Sequence, residues 1–72
     1  MSLVDFPSLR KQLETRVRER TGSQLQDLGI ELSPDGVRLL GQTTTFYAKQ
    51  LAQHCVREML PDVSLVNDIN VL

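Results

Sequence analysis

The chain has 72 residues, 40% of them apolar, and a net charge of −1 from eight Lys and Arg against nine Asp and Glu. That length bounds one small domain with one thin core, the apolar content is too high for a disordered segment, and the near-neutral balance points to neither nucleic acid nor an acidic surface as a whole-chain partner. A single cysteine excludes an internal disulfide and a multi-cysteine zinc site, and no apolar run reaches the ~20 residues needed to cross a bilayer.

Met1-Ser2-Leu3-Val4-Asp5 has neither the basic n-region nor the apolar h-region of a signal peptide. Two expectations follow: a cytoplasmic protein if the chain is complete, or a periplasmic or cell-envelope domain if it is excised from a longer exported chain. Phe6, Leu9, Leu13 and Val17 draw one apolar stripe along a helix predicted over 7–21. Pro7 suits its first turn, with Asp5 or Phe6 as the start, and Thr21-Gly22 ends it because Gly22 accepts a left-handed cap. Ser23 to Leu28 reads as a connector with Leu25 and Leu28 tucked beneath it.

The stretch from Gly29 to Gly41 reads as a hairpin. Ile30 and Leu32 alternate on one side of Pro34-Asp35-Gly36, and Val37, Leu39 and Gly41 on the other. Proline presets φ, aspartate bonds its own backbone, and Gly36 is expected at positive φ in the turn. Strands are predicted near 28–33 and 37–42. Thr43-Thr44-Thr45 offers three N-caps for a helix over 44–60, which Pro61 stops. Ala48, Leu51, Ala52, Cys55, Val56 and Met59 form its apolar stripe, opposite Lys49, Gln50, Gln53, His54, Arg57 and Glu58. Val63, Leu65, Ile69 and Val71, with Asn67 in phase, make a third strand near 63–71.

The expected fold is α+β, of order αββαβ: a three-stranded mixed sheet packed against two amphipathic helices as one domain over 1–72. If strands two and three are parallel, their helical crossover is right-handed. The expected core is Leu9, Leu13, Val17, Ile30, Leu32, Val37, Leu39, Leu51, Ala52, Cys55, Met59, Leu65, Ile69 and Val71, with Leu51 central to it.

Gly29-Ile30, Asp35-Gly36-Val37, Leu39, Gly41, Lys49, Leu51-Ala52, Cys55-Val56, Met59, Leu65, Asn67, Ile69 and Val71 together resemble the BON family, the bacterial osmotically-inducible and nodulation domain. The likeness covers two-thirds of the chain, and its most specific part is V-x-L-x-G, a helix, then N-x-I-x-V. Pro61-Asp62 departs from it, standing where the family usually has Gly-Val. The resemblance implies an αββαβ domain without catalytic residues, found in envelope proteins and binding phospholipid or other envelope components. It implies no cofactor.

Several residues invite a functional reading of their own. Arg10, Lys11, Arg16, Arg18 and Arg20, against Glu14 and Glu19, give the first helix a +3 bias on a chain of net −1. They are candidate contacts for anionic phospholipid, where a base near the surface is worth about 1 kcal/mol. The plainer reading is a solvated face whose last arginines complement the helix dipole. The bases also spread around the helix, with Arg18 about 200° from Arg16. His54 and Cys55 are adjacent and point about 100° apart, which does not make a dyad. Gly29, Gly36 and Gly41 fit no phosphate loop and, with Asp35, read as turn and packing positions. Phe46 precedes the main stripe and is a candidate for exposure to a membrane or partner. The expectation is a non-enzymatic binding module for phospholipid or an envelope protein. The alternative is an interaction module that docks a neighbouring domain or a second copy through its sheet. A KH-like nucleic-acid binder ranks far behind, for want of a GXXG loop with basic flanks and of stacking aromatics.

Overall fold

The computed structural model describes residues 6–72. Its elements are α1 (Phe6–Thr21), a 3₁₀ turn (Gly22–Gln24), β1 (Gln26–Ser33), β2 (Gly36–Thr43), α2 (Phe46–Met59) and β3 (Leu65–Val71). The expected order and the mixed sheet are both present. β2 is central, antiparallel to β1 and parallel to β3. Asp5, the alternative start of α1, lies outside the described residues.

Local chemistry sets the boundaries. Gly22 ends α1 at φ +60, a conformation that costs a β-carbon-bearing residue energy. The buried Thr21 donates its hydroxyl to the Val17 carbonyl at 2.8 Å and so needs no water. Of the three threonines before α2, Thr45 is the cap, its Oγ1 accepting the Ala48 N–H at 3.1 Å. Thr43 is buried and accepts the Thr45 N–H instead.

The sheet's helix-covered face carries the core. Leu28 and Ile30 of β1, Val37 and Leu39 of β2 and Ile69 of β3 meet Leu13 and Val17 of α1 and Ala52, Cys55 and Val56 of α2. Leu25 closes the α1 end, so both connector leucines are buried as expected. Leu9, Leu32, Met59 and Leu65, expected inside, pack on this cluster while only half-buried. Val71 is also half-buried, near the end of an edge strand.

Leu51 is a correction: it is half-buried and takes no part in the core cluster. Ala48, Ala52, Cys55 and Val56 hold the buried stripe of α2. Their small side chains bring the helix axis close to the sheet, and the bulkier leucine is left on the flank.

The hairpin differs from its sequence reading in one respect. Ser33 pairs with Gly36, so the loop is only Pro34-Asp35, and Gly36 opens β2. Neither loop residue has positive φ. With Ser first, Pro second and Gly fourth, the residue types suit a type I turn. Gly36 has the positive φ expected of it, at +153, and serves a further purpose: a Cβ there would collide with the Ser64 carbonyl. That carbonyl accepts the Val37 N–H at 2.9 Å and starts the β2–β3 ladder. The glycine is required by the approach of a strand 28 positions away in sequence.

β1 begins two residues earlier than expected, through a bulge. Asp27 and Leu28 together face Gly41, and Asp27 sits at φ +55. A Cβ on Gly41 would stand 3.1 Å from the Gln26 carbonyl, so the bulge leans on a missing side chain.

β3 is the other edge. The ladder to β2 uses the Ser64 carbonyl and the Leu72 N–H, so even-numbered residues turn their backbone groups to β2 and odd-numbered ones turn them outward. Asn67 bridges this edge to α2. Its Nδ2 donates to the Lys49 carbonyl at 3.0 Å and to Gln53 Oε1 at 3.2 Å, and its Oδ1 accepts the Ile69 N–H at 3.2 Å.

Candidate functional site

Folding sorts the charges. α1 carries five bases and two acids, and α2 two bases and one acid, so the helix layer bears +4. In the rest of the described chain Arg38 stands alone against Asp27, Glu31, Asp35, Asp62 and Asp68, so the sheet and its connections bear −4. A chain of nearly zero net charge is therefore divided between a cationic layer and an anionic one.

All five candidate bases of α1 are exposed, but the structure does not bring them into one patch. Arg20 donates to Glu58 of α2 at 2.9 Å, and Arg16 lies 4.0 Å from Glu19. Among the described residues Arg10, Lys11 and Arg18 carry no ion pair. Lys11 and Arg18 are seven positions apart and so only about 20° apart around the helix, while Arg10 stands about 80–100° from both. The pair Lys11 and Arg18 is the part of the set that can meet a flat anionic surface together.

The outward face of α2 extends the cationic layer and was read in the sequence only as a polar face. Phe46, Gln50, Gln53 and Arg57 recur there at spacings of 4, 3 and 4, with Lys49 and His54 on the margins and no acid among them. Phe46 is 68% and Tyr47 66% exposed. Two of the chain's three aromatic rings thus stand in solvent on one helical turn.

Cys55 and His54 separate as expected. The thiol is fully buried, whereas His54 lies in a shallow groove with Gln50, Gln53 and Arg57. Burial pushes the thiol's pKa up, opposed by Arg20 and Arg16 and reinforced by Glu58 and Glu19. A protonated, inaccessible sulfur is a core group rather than a nucleophile. Gly29 faces Leu40 at ordinary contact distance, and Asp35 caps the hairpin tip with its N–H on Ser33 Oγ. Asp35 and Gly36 line the hairpin end of an open groove on the sheet. Among the described residues no three His, Cys, Asp or Glu side chains gather where a metal ion could be held. No described helix is long and apolar enough to cross a membrane.

The open face of the sheet has its own chemistry. Arg38 of β2 donates to Asp68 of β3 at 2.9 Å and to Glu31 of β1 at 3.4 Å, joining all three strands. These bonds, Asp68's first, hold the guanidinium above its ordinary pKa. Leu40 and the 49%-exposed Val66 lie beside this triad. A groove runs from Val66 past Glu31, Ser33 and Asp35 to Gly36 and Ser64.

Comparisons with protein families, with curated proteins and with solved structures find no match to this chain.

Proposed function

We propose that the chain is a non-catalytic binding module of BON type, attaching through its helix layer to anionic phospholipid of the cell envelope. The observation that carries this reading is the division of charge, +4 on the helix layer against −4 on the sheet and loops. Such a domain has a preferred orientation at a negative surface even though its net charge is near zero. The order αββαβ is the one the resemblance implies. Within the layer, Lys11 and Arg18 are the strongest contacts because neither is held in an ion pair, although Glu14 stands one helical turn from each.

Sedimentation with vesicles of anionic lipid tests this. Attachment should be measurable at about 0.1 M salt and lost near 1 M, as the Debye length falls from about 10 to about 3 Å. Lys11→Gln with Arg18→Gln should cost about 2 kcal/mol, a 30-fold weakening. Arg16→Gln with Arg20→Gln should cost less, because those charges are already partly compensated. A domain that ignores anionic vesicles at low salt would end the lipid reading in favour of protein docking through the sheet.

A further inference from the structure

We propose that a second copy of this chain docks the outer face of its α2 on the open face of the sheet, with Phe46 seated in the groove beside Val66. The inference does not rest on the lipid reading. Two independent observations favour this occupant. The first is charge: the acceptor face holds Glu31, Asp35 and Asp68 against Arg38 alone, while the outer face of α2 holds Lys49 and Arg57 against Glu58, which Arg20 of α1 already pairs. Opposed potentials of this kind select the partner and its orientation. The second is the apolar match. Val66, 49% exposed, is the apolar side chain at one end of the groove, beside the Arg38–Asp68 bond, and Phe46 projects a 68%-exposed ring from the first turn of α2. An aromatic anchor entering an apolar centre with a polar rim is the usual anatomy of a protein interface. A net charge of −1 gives two copies almost no mutual repulsion to overcome.

The two surfaces differ, so the contact is head-to-tail. An open assembly keeps a free α2 at one end and a free sheet at the other, and short rows of domains result. The area is small. Three strands of seven or eight residues span about 25 by 14 Å, so the contact buries about 700 Å² in total, below the 1,200 Å² of a stable complex. Association should therefore be weak, with Kd on the order of 10⁻⁴ M.

Sedimentation velocity across concentrations from about 10 μM to 1 mM, without lipid, tests this at about 0.01 M and 1 M salt. The parent should associate at low salt and weaken at least tenfold at high salt. Phe46→Ser with Lys49→Gln removes the donor surface, and Glu31→Gln with Val66→Thr removes the acceptor. Each double variant alone should remain monomeric while unfolding in urea as cooperatively as the parent. Mixed together they should form a 1:1 dimer and nothing larger, because each retains one working surface. Should either double variant fold poorly, Arg57→Gln and Asp35→Asn replace it and should each weaken association. A parent that stays monomeric at 1 mM and low salt overturns the proposal. So does association that survives in either variant, or a mixture that stays monomeric while the parent associates. The sheet variant should still bind anionic vesicles through α1, so loss of self-docking is distinguishable from loss of lipid attachment.

Discussion

The same three strands present two faces built by different rules. On the helix-covered face Val37, Leu39 and Ile69 exclude water almost completely. On the other face Arg38, Asp68 and Glu31 hold the strands together through exposed ion pairs whose net worth is small. In a chain that buries only about 60% of its unfolded surface, the apolar face supplies the stability. The open face is left free to carry charge. Neighbouring residues on one strand therefore belong to different problems, and substitutions can separate them.

The largest effect is expected at Leu39, which is fully buried in the central strand. Leu39→Ala should cost about 2–5 kcal/mol in urea unfolding, whereas Leu40→Ala, one position along and on the open face, should cost about 1 kcal/mol or less. Equal losses would mean that both faces carry the core. Next come the hairpin glycines. Gly36→Val must displace the Ser64 carbonyl and should cost about 1–3 kcal/mol. Gly29→Ala has ordinary room beside Leu40 and should stabilise by about 0.5–1 kcal/mol through reduced chain entropy. Smaller still is Arg38→Met. Its exposed ion pairs should be worth less than about 1 kcal/mol, with a contribution that shrinks further as salt rises. The smallest signal is on the covered face. Burial holds the Cys55 thiol above its ordinary value of 9.0, so the folded state keeps a proton that the unfolded chain releases. Stability should be unaffected by this group below that pH and fall as pH climbs past it. Cys55→Ala should remove that part of the alkaline decline, as read by urea midpoints at pH 8 to 10.

Features that depend on local chemistry were legible in the sequence. Gly22 as a left-handed cap, a threonine cap before α2, the hairpin at Pro34-Asp35 and the alternation of β2 and β3 all follow from residue type and period. The missed features depend on what arrives from elsewhere in the chain. Gly36 is legible as a turn glycine, but the close approach of Ser64 that also demands it is not. Leu51 looks central in a helical stripe, but the small residues Ala48, Ala52 and Cys55 decide which side of α2 meets the sheet. The bulge at Asp27 has no glycine in the strained position to announce it. Of the candidate site, the cationic bias of α1 was visible in the sequence. The pairing of Arg20 with Glu58 of the other helix, and the gathering of acids on the sheet side, required the fold.

A three-stranded sheet has two raw edges, and a raw edge invites any extended peptide to add itself as the next strand. Asn67 bears on this hazard. Through its Oδ1 it occupies the Ile69 N–H, an outward-pointing donor near the centre of β3, while its Nδ2 is anchored to α2. An incoming strand would have to displace a side chain that is already held at three points. On the opposite edge the Asp27 bulge breaks the regular spacing of β1. The chain can thus be crowded with less risk of passing into the continuous hydrogen-bonded ladder of an amyloid fibre. Asn67→Val would retain the strand pattern and remove that safeguard.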